Sequence, residues 1–183
     1  MERREKCFRS LTFVLFIILS IWILLQFLAP LSQPTNSIED FSGIVIFQDN
    51  EKSIEKMSFP WNLLYSSGDV LCHQKSERSI IINGNQMPFC ARCTAIWLGL
   101  TIGLVFMFFY KIGLNDRFVF LLLIGLIPIG IDGIGQMVGL WESTNILRVI
   151  TGLIIGILCG IAIGVIIDEI KSLNIFKFQK VVK

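Results

Sequence analysis

Long runs of apolar residues, separated by short polar segments, dominate the chain. Four of these runs approach the roughly 20 residues that a helix needs to cross the hydrocarbon core of a membrane. They cover residues 11–29, 94–110, 118–134 and 147–167. Polar residues interrupt the last three runs only briefly, at 111–117 and 141–145. The pattern predicts four membrane-spanning helices, with one long polar loop between the first and the second.

Composition favours a membrane protein over the soluble classes. Of the 183 residues, 54% are hydrophobic and 16% are charged, whereas a soluble domain is about 45–50% apolar and about 25% charged. Helices buried in a soluble core are the alternative, but too little polar surface remains to cover them. The same figures exclude an intrinsically disordered chain, and a net charge of +2 provides no basic surface for nucleic acid. We expect an all-α integral membrane protein in contact with the lipid bilayer, without a nucleic-acid partner.

Basic residues near the spans predict the orientation. Four precede the first span, four follow the last, two lie between the second and third, and one follows the third. Because Lys and Arg accumulate on the cytoplasmic side, we expect a multi-pass protein of the cell membrane with both termini in the cytoplasm. A cleaved signal peptide is the alternative for the first span. Its apolar run of about 19 residues exceeds the usual 7–15 of a signal peptide, which favours an uncleaved anchor.

The chain divides into four expected segments. Residues 1–30 form a cytoplasmic tail and the first anchor, and residues 31–64 form an extracytoplasmic loop. Residues 65–168 combine a Cys/His motif region with a three-helix membrane domain, and residues 169–183 form a basic cytoplasmic tail. In the outer loop, residues 43–48 (GIVIFQ) predict a short strand. Residues 59–70, with Trp61 and Tyr65, predict either an interfacial helix or a packed loop.

Glycine recurs at every fourth residue of the fourth span. Small residues at this spacing let helix backbones approach closely. The pattern predicts a tight glycine-packed bundle within one chain, and a homo-oligomer contact is the alternative. The glycines of the fourth span and their counterparts in the second are Gly152, Gly156, Gly160, Gly164, Gly99 and Gly103.

Three of the five cysteines and the only histidine lie close together at the end of the outer loop. Thiolate and imidazole together favour zinc or another divalent metal, so the predicted ligands are Cys72, His73, Cys90 and Cys93. Adjacent residues of an extended chain point to opposite sides. Cys72 alone, with a carboxylate or water as the fourth ligand, is therefore an alternative to the full Cys3His set.

Two other interpretations use the same cysteines. Cys90 and Cys93 begin a helix beside Arg92, where the helix dipole stabilises a thiolate, as in a redox dithiol. Cys72 would then be a resolving partner. A structural disulfide is the third interpretation, because an exported segment meets an oxidising environment. Cys7 and Cys159 are expected to be bystanders.

A polar stripe follows in the third span. Asp132 and Gln136 are four residues apart and share one helical face, and Glu142, Asn145 and Arg148 come next. Ionisable residues at membrane spans are candidates for function. We expect Asp132 or Glu142 to be an acid–base group and Arg148 an anion holder, or a structural ion pair between one carboxylate and Arg148. The expected binding pocket also includes Gln74, Arg78, Arg92, Gln136 and Asn145.

Several of these motifs occur together in one order. They are Cys72-His73-Gln74, Arg78-Ser79, Gln86-Met87-Pro88, Cys90-Ala91-Arg92-Cys93-Thr94, Asp132-Gly133, Gln136, Glu142-Ser143-Thr144-Asn145 and Arg148. Over residues 65–167 the chain resembles a family of small prokaryotic membrane proteins, the domain of unknown function 2085 family. The resemblance implies the membrane class and the positions of the site. It implies no particular reaction or ligand.

These features lead to three functional hypotheses. The first is an outward-facing metal site beside the polar pocket, where a metal-activated water would act on a membrane-associated substrate. The second is a membrane thiol–disulfide oxidoreductase that uses Cys90 and Cys93. The third is a non-catalytic assembly protein whose cysteines hold a structural disulfide or metal.

Overall fold

The computed structural model describes the backbone of residues 2–110 and 112–181 and the side chains of residues 11–110 and 112–170. Within these ranges, four helices are long and apolar enough to cross a membrane. They are α1 (Glu2–Ser32), α4 (Ala91–Phe109), α5 (Asp116–Met137) and α6 (Asn145–Val181). The prediction of a mostly helical, four-span membrane protein is confirmed. Cys7 and the basic residues of both tails lie outside the described side chains.

A β-hairpin precedes α4, and the hydropathy pattern did not predict it. Strand β1 (Ser79–Ile82) pairs antiparallel with β2 (Asn85–Cys90). Asn83 and Gly84 connect the strands with φ angles of 57° and 71°, which is the left-handed geometry of a two-residue hairpin turn. Since β2 leads directly into α4, the hairpin places Cys90 at the N-terminus of that helix.

The predicted strand at residues 43–48 is wrong. This segment forms a turn in which Ile46 has a φ of 83°. The Ile46 amide donates to the carbonyl of Val70 at 2.8 Å, and the Ile44 amide donates to Asp49 Oδ2 at 2.7 Å. Two of its backbone amides therefore bond to a helix end and a side chain, and no strand of the described chain pairs with the segment.

The rest of the loop between α1 and the hairpin packs around a short helix. Helix α2 (Glu51–Ile54) and helix α3 (Trp61–Leu71) fold against the end of α1. The side chain of Tyr65 is fully buried, and its hydroxyl donates to the Gln86 carbonyl at 2.7 Å. The small core contains Ala29, Ile38, Phe41, Ile54, Leu64 and Tyr65. Residues 61–71 are therefore helical, and one face of this helix contributes to the loop core.

Two buried amides attach this loop to the hairpin. Asn85 Oδ1 accepts from the Ile38 amide at 3.0 Å, and Asn85 Nδ2 donates to the Pro30 carbonyl at 2.9 Å. Gln86 Oε1 accepts from the Phe41 amide at 3.0 Å. Both side chains are fully buried. The end of α1, the loop that follows it and the hairpin therefore form one connected unit at one end of the helix bundle.

The glycines of α4 and α6 bring these two helices into backbone contact. A Cβ atom on Gly156 would lie 2.4 Å from the Ile96 carbonyl oxygen, and one on Gly160 would lie 2.3 Å from the Leu100 carbonyl oxygen. Equivalent positions on the same seam are Gly99, Gly103 and Gly152. The close approach that the glycine spacing predicts is thus made between two helices of the same chain. It places the first turn of α4, at Arg92, against Gly152 near the start of α6.

Candidate metal centre and cationic cavity

Three cysteines from three separate elements converge at one end of the helix bundle. Cys72 follows the end of α3, Cys90 ends β2, and Cys93 lies in the first turn of α4. The sulfur atoms of the three lie within 4.8 Å of one another. All four described cysteines are free thiols. Cys159 lies within α6, outside this sulfur group.

His73 does not join the sulfur group. Its side chain is exposed, and within the described residues the group of possible metal ligands contains the three cysteines only. Cys72 is extended, with φ and ψ of −142° and 147°, so the next side chain projects to the opposite side. His73 still lines the neighbouring cavity. The arrangement corresponds to the alternative in which Cys72 is a ligand without His73.

The three thiols differ in acidity. Hydrogen bonds from the Cys72 and Cys93 thiols hold the pKa of Cys90 far below the usual value of a thiol, and the backbone amides of Arg92 and Cys93 lower it further. The pKa of Cys72 is raised, chiefly because its thiol is hydrogen-bonded to Cys90. Cys90 is therefore the most acidic thiol of the group, and the N-terminal dipole of α4 favours a negative charge there.

Asp132 is paired, and its partner is Arg92 rather than the expected Arg148. The carboxylate of Asp132 is 2% exposed and forms an ion pair with the Arg92 guanidinium. Gln136 Nε2 also donates to Asp132 Oδ2 at 3.2 Å, and Trp141 Nε1 lies 3.5 Å from Asp132 Oδ1. Asp132 thus holds Arg92 at the start of α4 from the end of α5.

Arg148 has amide partners instead of a carboxylate. Its Nη2 donates to Gln136 Oε1 at 3.0 Å, and its Nη1 donates to Asn145 Oδ1 at 3.2 Å. Asn145 Nδ2 in turn donates to the Ser79 carbonyl at 3.3 Å, which connects α6 to the hairpin. The Arg148 residue is only 4% exposed. A buried cation with neutral partners is costly unless an anion completes its surroundings.

Glu142 lies apart from this network. It is exposed and does not line the cavity.

Gln74 is fully buried, and its Nε2 donates to the Pro88 carbonyl at 2.6 Å. Its Oε1 lacks a hydrogen-bond partner among the described residues. The remaining predicted pocket residues converge, so the structure brings the cysteine group and the polar stripe to one place.

A cavity of about 290 Å³ joins the sulfur group to the arginines. The three cysteines line it together with His73, Gln74 and Gln136. Four cationic side chains also line it, from Lys75, Arg78, Arg92 and Arg148. The described lining residues include no carboxylate. The cavity therefore combines soft sulfur ligands with a concentrated positive charge.

Several residues that assemble this site had no part in it predicted from the sequence. Asn85, Gln86 and Tyr65 carry the buried hydrogen bonds that place the hairpin, and Lys75 adds a fourth cation. The Asn83-Gly84 pair, preceded by three isoleucines, is a hairpin-turn signal and was available in the sequence. The pairing of Arg92 with Asp132 had no such local signal, because the two residues lie on different helices.

Comparisons with known proteins cover the region that contains the site. The profile of a family described as "Predicted membrane protein (DUF2085)" matches residues 72–166. The chain is 43% identical over 96 residues to an uncharacterised protein of Methanocaldococcus jannaschii, a match that covers 51% of this chain and 61% of that protein. It is 40% identical over 83 residues to an uncharacterised protein of Methanothermobacter thermautotrophicus, covering 45% of this chain and 75% of that protein. No solved structure matches the chain.

Proposed function

This chain belongs to the DUF2085 family of predicted membrane proteins, and we propose that it binds a divalent metal ion, such as zinc, through Cys72, Cys90 and Cys93. The metal centre would act on a membrane-associated substrate bound in the adjoining cavity. The observation that carries the proposal is the convergence of three sulfur atoms within 4.8 Å.

The donor set fits a borderline-soft divalent ion. Thiolates bind zinc at about 2.3 Å in tetrahedral geometry, which separates the sulfurs by about 3.8 Å. The acidic thiol of Cys90 provides one ligand in the charged form that metal binding requires. All three cysteines line the cavity, so a metal ion held by them would be accessible from that space. A site with three protein ligands and one open position is typical of catalytic zinc.

The side chains around the cavity would divide the remaining work. A bound divalent ion supplies Lewis-acid chemistry and activates water. Arg92 would hold the substrate, and Asp132 would position Arg92. Gln136 and Asn145 would position Arg148. His73 lines the cavity and is the single histidine of the chain. It is therefore the group we propose for proton transfer, in place of Asp132 or Glu142.

The location of the site is consistent with a membrane-associated substrate. It lies where α4 begins, α5 ends and α6 begins, at one end of four apolar helices. With both termini in the cytoplasm, as the basic residues predict, this end faces outward. Reporter fusions at each terminus would test the orientation, and an extracytoplasmic terminus would contradict it.

Metal analysis of the purified protein tests the proposal. We expect about one divalent ion per chain by elemental analysis, and a large loss of metal in Cys90→Ser. Cys159→Ser is the matched control, because it makes the same change in α6 outside the sulfur group, and its metal content should equal that of the unmodified chain. Absence of stoichiometric metal, or equal metal in both variants, would refute the proposal.

A thiol–disulfide oxidoreductase is the second candidate, and a specific observation favours it. The cysteines are free, and the acidic Cys90 lies beside two thiols that can resolve a mixed disulfide. Thiol trapping separates the two functions. A Cys90–Cys93 pair that alternates between dithiol and disulfide supports the oxidoreductase, whereas thiols that stay reduced and become reactive only after chelation support the metal centre.

A further inference from the structure

We propose that Arg78, Arg92 and Arg148 bind a phosphate group in the cavity beside the three sulfurs. The ligand class is a phosphate ester, either a phospholipid headgroup or a soluble phosphate compound. The proposal deepens the proposed function, on which it rests for the role of the cavity as a substrate site.

The first observation is an excess of positive charge. Four cationic side chains and no carboxylate side chain line the described part of the cavity. Asp132 pairs with Arg92 but does not line the cavity, and Oε1 of the exposed Glu77 lies 3.7 Å from Arg78 Nε. Three thiolates holding a divalent ion would contribute one net negative charge. Positive charge therefore remains in excess at the cavity, which attracts and concentrates an anion.

The second observation is unused hydrogen-bonding capacity. The Nε atom of Arg92 is buried and has no hydrogen-bond partner among the described residues. The buried Nε of Arg78 also lacks a hydrogen bond there, and its ion-pair contact with Glu77 Oε1 is long, at 3.7 Å. Arg148 lines the same cavity as both. Positive charges in one cavity repel one another, and a shared anion removes that cost. Guanidinium groups bind the oxygens of phosphate through paired hydrogen bonds, whereas a single carboxylate has fewer acceptors for three arginines.

The third observation is size. A volume of about 290 Å³ lies just below the roughly 300–1,000 Å³ of typical ligand sites. The cavity accommodates a headgroup-sized ligand rather than a nucleotide or a folded peptide. Val45 and Leu71 add apolar surface to the lining, which suits the remainder of an amphiphilic molecule.

Titration of the purified full-length protein with inorganic phosphate tests the proposal. We expect saturable binding by calorimetry, weakened about tenfold to a hundredfold in Arg78→Gln, as for the loss of a charge-assisted hydrogen bond. Arg117→Gln is the matched control, because Arg117 is exposed at the start of α5 and lies outside the cavity. It should bind like the unmodified chain. Arg78→Lys keeps the charge but not the paired donors and should bind with intermediate affinity.

Two further arms identify the source of the phosphate group and separate this proposal from the metal centre. In nanodiscs of phosphatidylcholine with added phosphatidic acid, competition with inorganic phosphate supports a lipid headgroup. Binding unchanged by phosphatidic acid supports a soluble ligand. Arginine-dependent phosphate binding in protein without metal would sustain this proposal while the metal centre fails. Stoichiometric metal with no saturable phosphate binding, or with binding unaffected by Arg78→Gln, would overturn this proposal alone.

Discussion

Replacement of Gly156 by alanine tests whether the α4–α6 seam is as tightly packed as the structure shows. A Cβ atom at this position would lie 2.4 Å from the carbonyl oxygen of Ile96 and 2.9 Å from the Cα of Gly99. Ordinary van der Waals contacts begin near 3.4 Å, so the backbones would need to separate by about 1 Å, a typical overpacking strain. Both neighbours are backbone atoms, and no side-chain rotation can relieve the contact.

The expected change in the free energy of unfolding follows from two opposing effects. Overpacking costs about 1–3 kcal/mol, whereas alanine exceeds glycine in helix propensity by up to about 1 kcal/mol. Gly130→Ala in α5 is the matched control, because no heavy atom lies within 4 Å of a Cβ there. It makes the same change without the overpacking. For a chain of this size, 1 kcal/mol shifts the Tm by about 2–4 °C. Gly156→Ala should therefore melt roughly 2–12 °C below Gly130→Ala.

Tryptophan fluorescence during heating in detergent measures both melting temperatures. The unfolding must be reversible, or compared at one heating rate, because an irreversible transition depends on the scan rate. A Gly156→Ala variant that melts at or above Gly130→Ala would refute the reasoning. The helices would then tolerate a methyl group in the seam, and the close approach would not determine how α4 and α6 are placed.

Three further predictions concern the connected unit of loop and hairpin that follows α1. Asn85→Ala removes several buried hydrogen bonds and should lower the free energy of unfolding by about 2–4 kcal/mol. Asn62→Ala is the control: it loses one local hydrogen bond and should change the free energy of unfolding by less than about 0.5 kcal/mol. Tyr65→Phe should cost about 1 kcal/mol and the exposed Tyr110→Phe almost nothing; equal stability would contradict the buried bond. In metal-free protein, Cys90 should react with iodoacetamide at a nearly constant rate from pH 8 down to pH 6, because its depressed pKa preserves the thiolate as the pH falls. A tenfold decrease per pH unit, as for an ordinary thiol below its pKa, would show that this pKa is not lowered.

Several features of the site were readable from sequence because they depend on local composition. The Cys90 and Cys93 spacing and the start of α4 follow from neighbouring residues. The same holds for the shared face of Asp132 and Gln136, since residues four apart on a helix lie one above the other. The hairpin had a signal in Asn83-Gly84 that hydropathy alone does not detect. By contrast, the strand predicted at residues 43–48 does not form, because an apolar run becomes a strand only when another strand pairs with it.

The sequence by itself determined the class of the protein, because a membrane requires long apolar helices whatever their contacts. Only the tertiary structure decided which polar side chains meet. Sequence could not show that Arg92 pairs with Asp132, that His73 lies outside the sulfur group, or that Arg148 has no carboxylate partner among the described residues. Those outcomes depend on how the hairpin and the glycine seam orient separate elements. Such long-range contacts are set by backbone geometry and packing, which residue spacing along the chain does not record.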